Sequence, residues 1–473
     1  MSHIPDSYGP LKIIIITCND ILTSNPKNKL PTLIKKGLKK CENADYNLIE
    51  YIFMRIKKDG FENMNINFRD YDNHFHINEV ENKNIKVPKK YQALEKQFQD
   101  LYATPQPEQR TQEWFDYRYH RITASDMATA LDCNPYESVE GFIYKKCTPD
   151  FPFLDNPAVF HGKKYEQIAT QLYEHIYNNK VTEFGCVPSQ KYNILGASPD
   201  GICSKSTLDG KFSPMVGTML EIKCPIYRKI KTKGKIAGEI CPFYYWCQVQ
   251  QQLECCDLND CDFWQCELTQ YENEEEYYKD GKGYTARFSE GDNDNVIEID
   301  PLWTRGMMLQ FHPKVYVPTQ EDDSIEYKST WIYPPRLDMN DEEYRRWIKN
   351  TLDSLETKHP SIYENYIFDR VLYWKIPKSH NVKVYRDREW FQHVYPILQQ
   401  TWKRVLDTRD NKKAIKEMYN INEKRKDFWV KTSFEVNNIK CNDFLMPPSL
   451  RKQEKKAPQA KKKVVFSYGS DSD

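Results

Sequence analysis

The sequence predicts an α/β fold in which a central mixed β-sheet is flanked by helices. Apolar residues recur at helical spacing from Tyr165 to Ile176, as in a helix packed on a core. Between Met219 and Pro225, apolar residues alternate with Glu221 and Lys223, which is the period of a strand. Hydrophobic residues make up 39% of the 473 residues, which is enough to bury a large core.

The N-terminal part of the chain is predicted to form a separate unit over residues 1–102, of unassigned role. The apolar run in Leu11–Thr17 predicts a buried strand, and helices are expected around Leu33–Lys40 and Tyr46–Lys57. Residues 103–110 contain two prolines and lack apolar periodicity, which is typical of an inter-domain linker.

Beyond the linker, changes in composition predict four further segments. They are a core at 111–270, an acidic excursion at 271–300, a C-terminal helical part at 301–445 and a basic disordered tail at 446–473. The acidic excursion has ten Asp and Glu residues against three basic ones, so a solvated segment is expected. Ordered structure should resume with a strand at Val296–Ile299 and helices around Asp341–Leu355 and Glu389–Leu406.

The charge balance excludes a uniformly basic nucleic-acid-binding protein, because 68 Lys and Arg residues are matched by 68 Asp and Glu residues. Local basic patches remain compatible with this sum. No segment approaches the ~20 apolar residues of a membrane span, and no charged-then-apolar leader is present. We therefore expect a soluble, intracellular protein without membrane contact.

The 14 cysteines are expected to be free thiols in such a compartment. Their densest group lacks the C-x-x-C pair that is typical of zinc sites, so buried core thiols are expected and neither zinc nor an iron–sulfur cluster. An iron–sulfur nuclease stays open as a variant that a visible absorbance band would reveal. The group consists of Cys247, Cys255, Cys256, Cys261 and Cys266.

Acidic and basic residues in three short segments are candidates for metal-dependent chemistry. Glu166 lies at the edge of the buried face of its predicted helix, and Asp200 lies in a Ser-Pro-Asp-Gly turn after a strand. Glu221 and Lys223 share one face of an otherwise apolar strand, and buried charges need partners. Mg²⁺ prefers hard oxygen ligands, and a lysine can orient or deprotonate a water and offset negative charge. The structural alternatives are a boundary carboxylate, a turn residue and a salt bridge.

These segments resemble the P-D…(D/E)-x-K signature of restriction-endonuclease-like nucleases, here Pro199-Asp200 followed by Glu221-Ile222-Lys223. Their order along residues 108–270 is similar to that of the lambda-exonuclease, or YqaJ-type viral recombinase, family. The motifs are Trp114…Arg118…Ile122-Thr-Ala-Ser-Asp126, Gly162-Lys-x-Tyr-Glu166, Ser198-Pro-Asp-Gly201, Leu220-Glu-Ile-Lys-Cys-Pro225 and Tyr245-x-x-Gln248-Val-Gln250. The Asn-, Lys- and Tyr-rich composition is typical of an AT-rich genome, and the viral resemblance implies a large DNA virus.

The resemblance implies a restriction-endonuclease-like core and a role for each matching residue. Asp200, Glu221 and the Ile222 carbonyl would bind one or two Mg²⁺ ions, with Mn²⁺ as a substitute, and Glu166 would complete the site. Lys223 would be the catalytic lysine, with Gln248 beside it on the following helix. Arg118 and Ser125 would bind a DNA 5′-phosphate, since Arg offers a bidentate fork. Independently of the resemblance, the basic run that contains Arg228, Lys229 and Lys231 predicts a mobile loop beside the Glu-Ile-Lys strand that can contact phosphates without reading sequence, with a merely solvated charge run as the alternative.

The resemblance therefore implies a Mg²⁺-dependent deoxyribonuclease, acting 5′→3′ on double-stranded DNA ends in viral recombination, repair or degradation of foreign DNA. An endonuclease using the same site and a catalytically silent DNA-binding scaffold are the alternatives, although a scaffold has no need of the acids. A dimer or trimer is expected, with a helicase or strand-annealing protein as partner and the host cytoplasm or virion as location. The extensions on both sides of the core leave oligomer size and processivity open.

Overall fold

The computed structural model describes residues 10–41, 49, 52–53, 56–57, 85–107, 111–149, 157–280, 284–290, 293–299, 303–317 and 324–432. The helices of this part are α1 (Pro10–Ser24), α2 (Leu30–Lys40), α3 (Gln92–Ala103), α4 (Gln112–Tyr119), α5 (Met127–Ala130), α6 (Val139–Lys146), α7 (Pro157–Tyr177), α8 (Phe243–Cys256), α9 (Glu274–Lys279), α10 (Asp341–Asp353), α11 (Leu355–Lys358), α12 (Pro360–Asn365), α13 (Arg388–Arg409) and α14 (Lys412–Thr432).

The strands of the described part form two sheets. They are β1 (Ile122–Thr123), β2 (Val181–Thr182), β3 (Val187–Pro188), β4 (Leu195–Ala197), β5 (Gly201–Cys203), β6 (Met219–Lys223), β7 (Asp260–Gln270), β8 (Tyr284–Glu290), β9 (Asn293–Ile299), β10 (Arg305–Pro313), β11 (Thr330–Ile332) and β12 (Tyr366–Tyr385). The small sheet has the order β1-β4-β3, and the large sheet runs β11-β10-β12-β7-β6-β5-β2, with β8 and β9 attached beside β12.

The large sheet is mixed, as the sequence predicts. The β6 strand runs parallel to β7, with Glu221 opposite Phe263, and antiparallel to β5, with Gly201 opposite Leu220. Gly201 is required at the start of β5 because a Cβ there would collide with the Val181 side chain of β2. A parallel pair needs a crossover, and the α8 helix provides it between β6 and β7.

Helices cover both faces of the large sheet, which confirms the predicted layers. On one face, Met219 and Phe263 pack in a core with α5, α6, α8 and α13. On the other face, Leu220, Ile222 and Trp264 pack against α7, whose predicted apolar stripe is buried. The strand alternation therefore directs Glu221 and Lys223 of β6 towards the α8 side of the sheet.

The predicted strand at Leu11–Thr17 is wrong, because this segment lies within the α1 helix. The apolar run continues beyond it with buried Cys18 and Ile21, so the buried positions follow helical spacing. The predicted helix at Leu33–Lys40 is confirmed as part of α2. The predicted helix at Tyr46–Lys57 lies mostly outside the described residues.

The end of the predicted N-terminal unit and the start of the predicted linker differ from the prediction, because both lie in the α3 helix, which ends at Ala103. The α3 helix, which falls almost entirely inside 1–102, packs on the core through buried Phe98. The Gln97 side chain also donates a 3.3 Å hydrogen bond to the Cys256 carbonyl at the end of α8. Residues 108–110 of the predicted linker lie outside the described residues.

The C-terminal region departs from the prediction of a helical part. Its helices at Asp341–Asp353 and Arg388–Arg409 match the expected ones. However, β10 and the 20-residue strand β12 also come from this region and join the centre of the large sheet. Buried and more exposed residues alternate along β12 because this strand lies in the sheet between β7 and β10. That position depends on pairing with these two strands and not on the sequence of β12 alone.

The acidic excursion is also more structured than predicted. Its first half contains α9, and its second half forms the β8–β9 hairpin, which contains the predicted strand at Val296–Ile299. The β8 strand pairs in parallel with Lys378–Val382 of β12, so β12 and β7 separate it from β6. The basic tail at 446–473 lies outside the described residues, and none of the described helices is long and apolar enough to cross a membrane.

The large sheet predicts a specific stability effect at Trp264. This side chain is fully buried, and its indole N–H donates a 3.0 Å hydrogen bond to the Ala169 carbonyl of α7. Trp264→Ala should lower the free energy of unfolding by about 3–5 kcal/mol, as expected for a large cavity. Guanidinium denaturation followed by circular dichroism measures this change. Leu406→Ala is the control because Leu406 is 51% exposed, and equal effects of the two variants would contradict the packing described.

Candidate active site

The Asp200 side chain is positioned where the loop after β4 enters β5. Its Oδ2 accepts a 2.6 Å hydrogen bond from the Ile222 N–H of the neighbouring strand β6. This bond links the Ser-Pro-Asp-Gly turn directly to the Glu-Ile-Lys strand. The two halves of the sequence signature therefore meet at one place on the sheet, although 20 residues separate Asp200 from Glu221.

Three side chains bind the carboxylate of Glu221, which is only 1% exposed. Oε1 forms an ion pair with the Lys223 ammonium group and accepts a 2.6 Å hydrogen bond from Gln248 Nε2. Oε2 accepts a 2.6 Å hydrogen bond from Gln252 Nε2. Gln248 and Gln252 lie one turn apart on α8, so the helix presents both amides to the same carboxylate.

Electrostatic interactions connect the acids with Lys223. Burial raises the pKa of Asp200 well above its usual range, and the nearby charges of Glu221 and Glu166 raise it further. Burial alone would lower the pKa of Lys223, but the attraction of Glu221 and Asp200 outweighs it and raises this pKa. Lys223 is therefore a cation in this arrangement, and its Nζ lies 4.7 Å from the Tyr245 ring centroid.

Glu166 approaches the same acids from the opposite side of the sheet. It is half-buried on α7, between the fully buried stripe positions Tyr165 and Ile168. Its negative charge contributes to the raised pKa of Asp200, which places the two carboxyl groups near each other. The sequence predicts that Glu166 lies at the edge of the buried face of its helix, and in the structure this edge faces Asp200.

The acids offer a donor set suited to a hard divalent cation. Neighbouring carboxylates raise the pKa of Asp200, and a cation bound between them would stabilise its charged form. Within the described residues, no three His, Cys, Asp or Glu side chains converge closely enough to form a ready-made coordination shell. The ion pair from Lys223 and the amide of Gln248 occupy Glu221 Oε1 in this arrangement. Asp200, Glu221 and Glu166 nevertheless fit such a cation in chemistry and sign of charge.

The structure brings Arg118 and Ser125 together, with 3.2 Å between Arg118 Nη2 and Ser125 Oγ. Ser125 is exposed, and the Arg118 guanidinium group lies 4.1 Å from the ring centroid of Trp114. The Trp114 indole N–H donates a 3.4 Å hydrogen bond to Ser198 Oγ, two residues before Asp200. The pair is therefore connected through one aromatic side chain to the loop that carries Asp200.

A network of ion pairs contacts the segment that carries Arg118 and Ser125. Lys146 Nζ lies 3.0 Å from Asp126 Oδ2 and donates a 2.8 Å hydrogen bond to the Arg118 carbonyl. Lys145 Nζ lies 2.9 Å from the other Asp126 oxygen and 3.1 Å from Glu137. Burial lowers the pKa of Lys146 to about 8, although the charge of Asp126 opposes this change.

The basic segment after β6 contains both exposed and anchored residues. Lys229 and Lys231 are exposed, while Arg228 is half-buried with its guanidinium group 5.9 Å from the Tyr245 ring centroid. Ile230 is 4% exposed, and its carbonyl accepts a 2.6 Å hydrogen bond from Lys378 Nζ of β12. The segment is thus fastened to the sheet at Ile230, and its lysines point away from it into solvent.

Sequence reasoning missed the contacts of Gln252 and of the Lys145–Lys146 pair. The signal for Gln252 is its spacing four residues after Gln248, although this pattern is equally typical of a solvated polar helix face. Nothing local distinguishes Lys146 from a surface lysine. The expected core thiols are confirmed for the dense cysteine group, since all five are buried and free, namely Cys247, Cys255, Cys256, Cys261 and Cys266.

A comparison with known proteins finds a relative in a virus. The chain is 34% identical over 354 residues to an uncharacterized protein of Acanthamoeba polyphaga mimivirus, a match that covers 75% of this chain and 61% of that protein. The chain thus spans less than two thirds of the length of this relative.

Two solved structures also match. They are crystal structures of LHK-Exo, described as an alkaline exonuclease from Laribacter hongkongensis, and one is a complex with dAMP. They are 26% and 27% identical to this chain, with TM-scores of 0.27 and 0.26. Each match covers 33% of this chain and 74% of the solved one.

A family model described as the YqaJ-like viral recombinase domain matches residues 113–259. This range lies inside the segment 108–270 that the motifs indicate and contains Arg118, Asp200, Glu221 and Lys223. The resemblance drawn from the sequence is thereby confirmed. Residues 113–259 of this chain are thus similar to the YqaJ-like viral recombinase domain, and the chain has a mimivirus homologue.

Proposed function

We propose that this protein is a metal-dependent deoxyribonuclease that acts 5′→3′ on double-stranded DNA ends. The observation that carries the proposal is that Asp200 accepts a hydrogen bond from the Ile222 N–H, between Glu221 and Lys223, which form an ion pair with each other. The YqaJ-like domain and the exonuclease name of the similar solved structures support the same activity. Viral recombination, repair or degradation of foreign DNA would use this activity.

In this proposal, Asp200, Glu221 and the Ile222 carbonyl hold Mg²⁺ or Mn²⁺, and Glu166 completes a second position. The bound metal supplies Lewis-acid activation of the scissile phosphate and of the attacking water. A carboxylate has about four acceptor positions, and three of those on Glu221 are occupied by Lys223, Gln248 and Gln252. One position on Oε2 is thus left for a cation while Gln252 still orients the group.

Lys223 acts in this mechanism as a cation rather than as a base. Its raised pKa keeps the ammonium group charged near neutral pH. A buried ammonium group stabilises the negative charge that develops on the phosphoryl oxygens during attack. The ammonium group would also donate a hydrogen bond to the attacking water. The neighbouring carboxylates would accept hydrogen bonds from the same water.

Arg118 and Ser125 would bind the terminal 5′-phosphate and so select DNA ends. Both donors face solvent at one point, and a guanidinium group pairs with phosphate through two N–H groups. The Trp114–Ser198 contact keeps this point at a set distance from Asp200. Double-stranded DNA is the proposed substrate, and the exposed Lys229 and Lys231, with Arg228 beside them, would add sequence-independent phosphate contacts.

The proposal predicts that linear 5′-phosphorylated duplex is digested in Mg²⁺ and that EDTA stops digestion. Lys223→Ala should reduce the rate at least about 100-fold, because it removes a preorganised charge from the reacting phosphate. Product formation on a sequencing gel measures this rate.

The matched control is Lys349→Ala, because Lys349 is exposed and pairs only with Asp353 on α10 in the described contacts. Cutting of a closed circular plasmid at a similar rate would indicate an endonuclease instead. Digestion by Lys223→Ala at the parent rate, or binding without cleavage by the parent, would contradict the mechanism.

Gln252→Leu should lower the affinity of the site for Mg²⁺ while the fold is retained. Loss of a partner that orients a metal ligand typically reduces metal affinity or activity 10- to 100-fold. The Mg²⁺ concentration that gives half-maximal digestion should therefore rise by about that factor. Gln250→Leu is the control on the same helix, since Gln250 bonds the Tyr385 carbonyl and the Asp387 N–H instead. An unchanged Mg²⁺ requirement in Gln252→Leu would exclude this role.

Arg118→Ala should abolish the preference for a phosphorylated end. The parent is expected to digest 5′-phosphorylated duplex faster than 5′-hydroxyl duplex, and the variant should digest the two at similar rates. Arg121→Ala is a control because Arg121 stacks on Tyr117 in the same segment, with 3.7 Å between guanidinium carbon and ring centroid. A variant that keeps the full preference would show that the phosphate binds elsewhere.

A further inference from the structure

Tyr136 is an exposed aromatic residue beside the proposed active site that no part of the mechanism uses. It is 79% exposed, which is unusual for a ring held in an ordered turn. The Tyr136 N–H donates a 3.0 Å hydrogen bond to Asn134 Oδ1. Two residues later, Ser138 caps α6 by accepting a 3.1 Å hydrogen bond from the Gly141 N–H. The turn is thus fastened on both sides of the exposed ring.

A column of aromatic rings runs from Tyr136 to the catalytic lysine. Tyr136 meets Tyr244 edge-to-face, with ring centroids 5.5 Å apart and planes at 89°. Tyr244 contacts Tyr245 with centroids 4.2 Å apart, and Lys223 Nζ lies 4.7 Å from the Tyr245 ring centroid. Tyr136 is therefore two ring contacts from the group that would face the scissile phosphate.

The same turn is also connected to the proposed end-phosphate site. Glu137, the next residue, lies 3.1 Å from Lys145, and Lys145 lies 2.9 Å from Asp126. Asp126 follows Ser125 directly and shares the ion network below Arg118. The turn that carries Tyr136 is therefore connected by side-chain contacts both to the proposed 5′-phosphate site and to Lys223.

We propose that Tyr136 is a stacking platform for the base of the 5′-terminal nucleotide. This inference rests on the proposed function, in which that nucleotide spans the two sites. An edge-to-face contact leaves most of the Tyr136 ring open, as its exposure shows. An exposed aromatic face binds any base by stacking, without reading its identity. The exposed side chains of Lys229 and Lys231 would meanwhile contact the DNA backbone.

A substrate comparison isolates stacking from every other contact. Binding is measured in EDTA, so that no cleavage occurs, by fluorescence anisotropy with two 5′-phosphorylated duplexes. One duplex is complete, and the other carries an abasic tetrahydrofuran in place of the 5′-terminal nucleoside. The parent protein should bind the complete duplex about 5- to 100-fold more tightly, the range expected for one base stacked on an aromatic ring.

Tyr136→Ala should bind both duplexes with nearly equal affinity, at the level of the parent on abasic DNA. Tyr136→Phe should retain the discrimination, because the ring and not the hydroxyl group stacks. Tyr102→Ala is the matched control, since Tyr102 is 55% exposed and packs on Phe98 and Phe184 beside the far end of α8. This control should discriminate like the parent.

The outcomes separate this inference from the proposed function. A parent that binds both duplexes equally, or a Tyr136→Ala variant that discriminates like the parent, overturns the stacking platform alone. Loss of affinity for both duplexes by the same factor in Tyr136→Ala would also overturn it, because the effect would not depend on the base. A parent that binds neither duplex, even when Mg²⁺ is restored and the duplexes carry cleavage-resistant phosphorothioate linkages, contradicts the proposed function, and the stacking platform with it.

Discussion

The buried carboxylate of Glu221 is the constraint on which the site depends. An isolated charge at 1% exposure would be strongly destabilising, and here one ammonium group and two amides compensate it. These partners come from β6 itself and from the crossover helix α8. The requirement to satisfy one carboxylate thus fixes how α8 lies over the sheet, and with it the position of the aromatic residues at its N-terminal end.

The same arrangement explains how a chain of zero net charge can present a positively charged surface near the site. The Glu221 carboxylate is buried and pairs with Lys223, whereas Lys229, Lys231 and Ser125 face solvent. Much of the remaining negative charge of residues 271–300 lies in a helix and in a hairpin attached beside β12, two strands away from β6. The zero net charge is therefore an average over regions of opposite sign and does not describe the surface near the site.

Local patterns were sufficient for some elements and misleading for others. The α7 helix was predictable because its buried stripe repeats over three turns, and β6 because its alternation is strict. The Leu11–Thr17 segment failed because a short apolar run has the same composition in a buried strand and in a helix. The strands β10 and β12 were missed because their burial comes from pairing with one another and with β7, at sequence separations that no local window includes.

The sequence by itself determined which chemical groups are available and on which face of which element they stand. The P-D and E-x-K segments, the helix-borne Glu166 and the pair Arg118 and Ser125 all follow from motif order and periodicity. Only the tertiary structure decided that Gln252 shares Glu221 with Gln248, that Trp114 connects Arg118 to the Asp200 loop, and that Tyr136 stands beside Tyr244. Such contacts join residues from separate elements, and their distances depend on how the helices pack on the sheet, which periodicity does not encode.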